Sequence, residues 1–199
     1  MEGPLVEYNQ GAFGKESDFP IAYLDRDGVL NYGSPEYIKS PNELEIISGV
    51  KESISKLRSA GYRIVIVTNQ SPISRGLYDV QALEKIHTKL QYEIGIIDVI
   101  MTCPHKFSEK CRCRKPHPGM LNHASELLRS VAHTTLDWWG NKPSPINVLD
   151  LMVGDRKSDM GAGWAVGARL FHVDSELGLP SVIHRILSND EGDEFNPVG

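Results

Sequence analysis

The sequence predicts an α/β fold in which a parallel β-sheet carries helices on both faces. Short apolar runs rich in β-branched residues, such as Arg63-Ile-Val-Ile-Val-Thr68, alternate with segments of helical periodicity. The runs are almost continuously apolar, as strands buried on both faces are. Three of them stop at a polar residue, Asp25, Thr68 or Asp155. Ligands of such sheets bind beyond the carboxyl ends of the strands, so those residues become the first candidates for chemistry.

Residues 1–19 mix Gly, Pro and charge, and are expected to form an N-terminal arm on the surface or partly disordered. The main domain is assigned to 20–188. Its first strand is Ile21–Leu24, and residues 44–47 suggest a short extended piece. Val50, Ile54 and Leu57 recur at helical spacing, with Gly61 placed to stop the helix. Arg63–Thr68 is the second strand. Leu83, Ile86, Leu90 and Ile94 share one face of a helix over 80–94, and Ile96–Thr102 is the third strand. A cysteine-bearing loop over 103–113 precedes a helix from Gly119 to Val131. Residues 133–147 hold two Trp and two Pro without a period and are assigned to an insertion. Val148–Val153 is the fourth strand, 157–166 a helix and Arg169–Val173 the fifth strand. An acidic tail, 189–199, is expected to fray.

Composition narrows the function. With 40% hydrophobic and 24% charged residues the chain belongs with soluble globular domains. A net charge of −5 argues against a nucleic-acid binder, whose affinity rests on cationic neutralisation. No run approaches the ~20 apolar residues that span a bilayer, and no signal peptide is recognisable. Three clustered cysteines are not a disulfide framework. A cytoplasmic monomer with no membrane or nucleic-acid partner is expected, and a local basic pocket leaves room for a small phosphorylated metabolite.

Asp25-Arg-Asp27-Gly28 leaves the first strand directly. One aspartate there suits a nucleophile or metal ligand and the other proton transfer, although Asp-x-Asp is also an ordinary polar turn. Asp155, at another strand end, adds a carboxylate, and carboxylates that converge need a cation between them. Oxygen-only ligands select Mg²⁺. Asp159, one helical turn on, either supports that site or faces water. Thr68, Asn69, Gln70 and Ser71 offer hydroxyl, amide and backbone donors for phosphate oxygens, with turn chemistry as the alternative. Lys115 adds a positive charge, and Pro116 and Pro118 stiffen its loop.

All three cysteines lie within CPHKFSEKCRCRKPHPGM. Cys103-x-His105 and Cys111-x-Cys113 make three thiolates and one imidazole, a closed tetrahedral set suited to structural Zn²⁺. A redox Cys-x-x-Cys is absent. The zinc is expected to be scaffold, pinning a loop that carries Arg114 and Lys115 to the sheet edge.

In order, Asp25-x-Asp27-Gly28, Thr68-Asn69, Lys115 and Gly154-Asp155-x-x-x-Asp159 resemble the motifs of the haloacid dehalogenase superfamily of phosphatases. More narrowly, YLDRDGVLN, VTNQS, CRCRKPHPGML and MVGDRKSDM look like the heptose 1,7-bisphosphate phosphatase family, with the histidinol-phosphate phosphatases as close relatives. The resemblance spans roughly residues 20 to 173. It implies a Rossmann-like, haloacid dehalogenase-like sheet without a separate cap domain, and a Mg²⁺-dependent phosphatase that removes the 7-phosphate of the heptose bisphosphate. By the same resemblance, Asp25 forms an aspartyl-phosphate, Asp27 moves the proton, and Mg²⁺ sits between Asp25, the Asp27 backbone carbonyl and Asp155. Thr68 and Lys115 would hold the phosphoryl oxygens, and Arg114 the distal part of the substrate. The zinc set also agrees with the family, although its two halves are closer here, with residues 106–110 between them. Pro72 stands where the family commonly has Gly, and Arg156, a further candidate for substrate contact, where it often has Lys. The competing functions are a histidinol-phosphate phosphatase, a phospho-accepting signalling domain, and a zinc-stabilised binding module without catalysis.

Overall fold

The computed structural model describes residues 3–9, 11, 18–133 and 137–197. Parts of the expected arm, insertion and tail therefore lie outside the described residues. Six strands form one sheet in the order β1-β4-β3-β2-β5-β6. The strands are β1 Leu5–Tyr8, β2 Ile21–Leu24, β3 Arg63–Asn69, β4 Val99–Cys103, β5 Leu151–Gly154 and β6 Arg169–His172. All neighbours pair in parallel except β1, which runs antiparallel to β4 with Glu7 opposite Ile100. The helices are α1 Val50–Ser59, α2 Val80–Ile94, α3 Gly119–Arg129, α4 Lys157–Ala165 and α5 Ile183–Leu187.

Strand pleating divides the core in two, because successive side chains point to opposite faces. Ala22, Leu24, Ile64 and Ile66 pack with α1, α2 and α5 through Val50, Ile54, Leu57, Ile86, Leu90 and Ile186. Ile21, Tyr23, Val65 and Val67 pack with α3 and α4 through Met120, Leu121, Ala124, Leu128 and Met160. Each such aliphatic side chain contributes about 1.5–3 kcal/mol when fully buried. The continuous apolar runs thus have the physical origin expected of them, helices above and below.

Three expectations about local structure are corrected. Residues 44–47 are not a strand; Ile46 makes only a single bridge to Asn31. The N-terminal segment is more than a surface arm, since β1 extends the sheet at an edge where β4 would otherwise expose its backbone. The acidic tail is docked instead of frayed. Asp193 receives a bond from His172 N at 2.7 Å, its own N–H donates to Leu170 O, and Phe195 meets Trp164 edge-on at 6.0 Å. Its carboxylates are anchored by Arg185, which reaches Asp190 and Asp193 at 2.9 Å each.

Among the described residues, no second sheet or helical domain stands over the carboxyl ends of the strands. No helix there is long and apolar enough to cross a membrane.

Candidate active site

The carboxyl ends of β2, β3, β4 and β5 open on a cavity of about 380 Å³, lined among others by Asp25, Thr68, Ser71, Lys115 and Asp159. The parallel register brings these distant residues together: Leu24 lies beside Ile66 and Val153, so β2 and β5 end at the same level. Gly28, at φ +80°, makes the turn after β2, and a Cβ there would lie 2.7 Å from Asp155 Oδ2. Only glycine allows both the left-handed conformation and that approach. Gly154 does the corresponding job on β5, where a Cβ would collide with the Asp159 side chain.

Lys115 is buried, with Nζ 2.9 Å from Asp25 Oδ1 and 2.7 Å from Asp159 Oδ1. Burial alone would lower its pKa, but the charges of Asp159 and Asp25 outweigh it and hold the ammonium protonated. For Asp25 burial wins: its pKa is pushed up to about 6 despite Lys115. Burial also raises Asp155, and the neighbouring Asp25 charge adds to the effect. One carboxylate oxygen each from Asp25, Asp155 and Asp159 lies within 4.8 Å of the others. Asp155 Oδ1 is buried without a hydrogen-bond partner, which is costly for a carboxylate that no cation meets. A hard divalent cation with oxygen ligands fits this set, and Mg²⁺ suits a site built from a few carboxylates plus substrate oxygens.

Asp27 stands apart from that cluster. Its carboxylate accepts from Arg26 NH2 at 3.0 Å on each oxygen, Asn31 Nδ2 at 2.9 Å and Gln70 Nε2 at 2.8 Å. Burial would raise its pKa, but Arg26 and these donors hold it below the ordinary carboxylate range. These donors fix the carboxylate in place, and it must take up a proton before it can act as an acid.

Asn69 and Gln70, expected to contact substrate, both line the cavity and also hold other residues of the site. Asn69 clamps the Lys115 backbone, donating Nδ2 to the carbonyl and accepting the N–H on Oδ1, both at 3.1 Å. Gln70 bridges Asp27 and Thr68 through Nε2 and accepts from Tyr78 OH at 2.7 Å. Ser71 lines the cavity, as does Arg156, whose Nε lies 3.8 Å from Asp155 Oδ2. Arg114 also lines it, with NH1 tied to His105 O at 3.0 Å. Arg75 and Tyr37 share the rim.

Asp159 proves to be inside the site, a role the Asp155-x-x-x-Asp159 spacing had left open. Asn31, Tyr78 and His87 had no motif to reveal them. His87 did carry a signal: it falls on the apolar stripe of α2 between Leu83 and Leu90, where a polar residue needs a partner.

Beside the cavity, Cys103, His105, Cys111 and Cys113 converge. Their sulfur–sulfur distances are 3.6, 3.4 and 3.5 Å, and His105 Nδ1 lies 3.5 Å from Cys103 and 3.2 Å from Cys113. Tetrahedral zinc, with bonds of about 2.3 Å to sulfur and 2.0 Å to nitrogen, gives edges of roughly 3.8 and 3.5 Å. The donor set fits that ion in both chemistry and size. Arg114 and Lys115 follow Cys113 directly, so the cluster fixes where their loop begins.

Comparison with known proteins places this geometry among relatives. Residues 21–140 match the family described as polynucleotide kinase 3 phosphatase. The D-glycero-beta-D-manno-heptose-1,7-bisphosphate 7-phosphatase of Pseudomonas putida is 39% identical over 153 residues, covering 75% of this chain and 79% of that protein. The D-glycero-alpha-D-manno-heptose-1,7-bisphosphate 7-phosphatase of Mycobacterium tuberculosis is 34% identical over 151 residues, covering 73% and 72%. The crystal structure of D,D-heptose 1,7-bisphosphate phosphatase from B. bronchiseptica, complexed with magnesium and phosphate, superposes with a TM-score of 0.69 at 30% identity, covering 85% of this chain and 98% of that one.

Proposed function

Since the chain belongs to the heptose bisphosphate phosphatase family of haloacid dehalogenase-like enzymes, we propose that it is a Mg²⁺-dependent phosphatase acting on D-glycero-D-manno-heptose 1,7-bisphosphate. The convergence of Asp25, Asp155 and Asp159 within 4.8 Å, with Lys115 against Asp25, carries this reading. An Asp25 oxygen attacks the phosphorus of the 7-phosphate, and the bond from phosphorus to the sugar oxygen breaks. Asp27 protonates that leaving oxygen. A water then attacks the aspartyl-phosphate, gives its proton to Asp27, and releases inorganic phosphate with Asp25 restored.

Lys115 faces the negative charge that spreads over the phosphoryl oxygens in the transition state, and the Thr68 hydroxyl is positioned to donate to one of them. Asp25 and Asp155, with the Asp27 backbone carbonyl, would hold Mg²⁺. When bound, that ion supplies positive charge to offset the repulsion between carboxylate and phosphate. Asp159 holds Lys115 in line.

Arg75, Arg114 and Arg156 around the cavity favour a substrate with a second phosphate. Histidinol phosphate carries an ammonium and an imidazole and no second phosphate, so it offers those cations no anion to meet. A restrained proton-transfer group beside the nucleophile disfavours a signalling domain, because it promotes hydrolysis of the phospho-aspartate. A soluble sugar bisphosphate suits the cytoplasmic monomer expected from the sequence, and light scattering checks the monomer.

The test is phosphate release from both anomers of the heptose bisphosphate and from histidinol phosphate at equal concentration. Preference for a bisphosphate, abolished in Asp25→Asn, is the expected result; preference for histidinol phosphate overturns the substrate assignment. A long-lived aspartyl-phosphate would restore the signalling reading, and a function untouched by Asp25→Asn the binding-module reading.

A further inference from the structure

The geometry points to Glu7, half-buried, and the buried His87 and Arg26 as a chain through which the N-terminal edge strand positions the Asp27 carboxylate for proton transfer. This rests on the acid–base role proposed for Asp27.

The chain can be followed atom by atom. Arg26 is fully buried. Its Nε and NH2 hold the Asp27 carboxylate at 3.2 and 3.0 Å, and its NH1 lies 3.4 Å from His87 Nε2. A guanidinium only donates, so Nε2 must accept and the imidazole proton must sit on Nδ1. That Nδ1–H donates to Glu7 Oε1 at 2.6 Å. Glu7 therefore selects the tautomer that presents a lone pair to Arg26. Burial, reinforced by the Arg26 charge, keeps His87 neutral despite the Glu7 contact.

Removing Glu7 frees the imidazole to turn an N–H toward the guanidinium, so that two donors meet at a fully buried contact. The guanidinium moves away from that contact, and the carboxylate it grips moves with it. Glu7 precedes the residues matched to the family, which begin at 21. It reaches the site because β1 pairs with β4 and sets Glu7 beside α2, 80 residues away in sequence.

The chain acts on proton transfer to the leaving oxygen, so its loss should depend on the leaving group. The experiment compares kcat/KM on heptose 1,7-bisphosphate, whose alkoxide needs a proton, and on p-nitrophenyl phosphate, whose nitrophenolate does not. Glu7→Ala should lower kcat/KM about tenfold on the bisphosphate, a fraction of what an acid–base group supplies. On the aryl phosphate the change should stay under roughly twofold, since no proton has to be delivered there. Glu7→Gln keeps an oxygen that accepts from Nδ1 and should behave like the parent enzyme. His87→Gln keeps an acceptor for Arg26 that needs no tautomer, so adding it to Glu7→Ala should restore most of the lost rate. Asp27→Asn sets the scale. Equal losses on both substrates, or no loss in Glu7→Ala while Asp27→Asn is crippled, overturn the proposal and leave the acid–base reading standing. Parental kcat/KM for Asp27→Asn on the bisphosphate removes that reading and the proposal together.

Discussion

Asp25→Asn should inactivate the protein and at the same time stabilise it in magnesium-free buffer. The nucleophile is buried, and its pKa is pushed up to about 6 from an ordinary 3.8, burial being the largest cause. The folded protein therefore binds this proton more tightly than the unfolded chain does. Stability is unaffected below the unfolded value, where both states are protonated, and falls as pH rises until the folded group has ionised. The full penalty is roughly 3 kcal/mol, of which roughly 2 kcal/mol accumulates between pH 4.5 and 7.5. Asparagine removes it at little structural cost. Its amide oxygen still accepts from Arg26 N, now at 2.8 Å, and Lys115 keeps Asp159 at 2.7 Å. The assay is urea unfolding of both proteins across that pH range, without chelator so that the thiolate cluster keeps its metal. The Asn variant's advantage should grow with pH and shrink when Mg²⁺ is added, because the ion stabilises the ionised carboxylate. An advantage that is flat with pH, or that falls, refutes the argument that burial dominates at Asp25.

Lys115→Met keeps the length of the side chain and removes its charge; kcat should fall about 10²–10³-fold, as for loss of one pre-placed donor to the transition state, in steady-state phosphate release. Gly28→Ala forces an unfavourable φ and a Cβ 2.7 Å from Asp155 Oδ2, so Mg²⁺ titrations of activity should show a metal requirement raised about tenfold or more, together with about 1–2 kcal/mol of lost stability. Cys111→Ser opens the zinc set; zinc by elemental analysis should drop from one per chain towards none, and loss of about 3 kcal/mol would lower Tm by roughly 6–12 °C. Unchanged zinc and Tm would refute the scaffold role.

The legible part of the site was the part whose residue types are tied to their chemistry. Asp25, Asp155 and Lys115 could be named because carboxylates end buried strands there and the lysine stands just before Pro116 and Pro118 in the motif order. The zinc ligands stood out because four soft donors fell close together in the chain. The protein contacts of Asn69 and Gln70 were not legible for a matching reason: an amide beside a phosphate site looks the same in sequence whether or not it also holds its neighbours. The strand at Leu5–Tyr8 was missed because an edge strand, half exposed, lacks the apolar run that betrays its buried neighbours. The docked tail was missed because its acidic residues are held by Arg185 and the backbone of β6, partners that composition does not reveal.

By itself the sequence determined the five buried strands, the helices that cover them and the side chains at their ends, because burial on two faces and the turn after each strand are local properties of the chain. Only the tertiary structure decided that Lys115 sits between Asp25 and Asp159, that Arg26 grips Asp27, and that Glu7 reaches His87. Apart from Arg26 and Asp27, which are neighbours in the chain, those contacts join residues whose separation along the chain carries no information about distance. What sets them is strand order and register, which follow from how the two cores pack against the sheet as a whole.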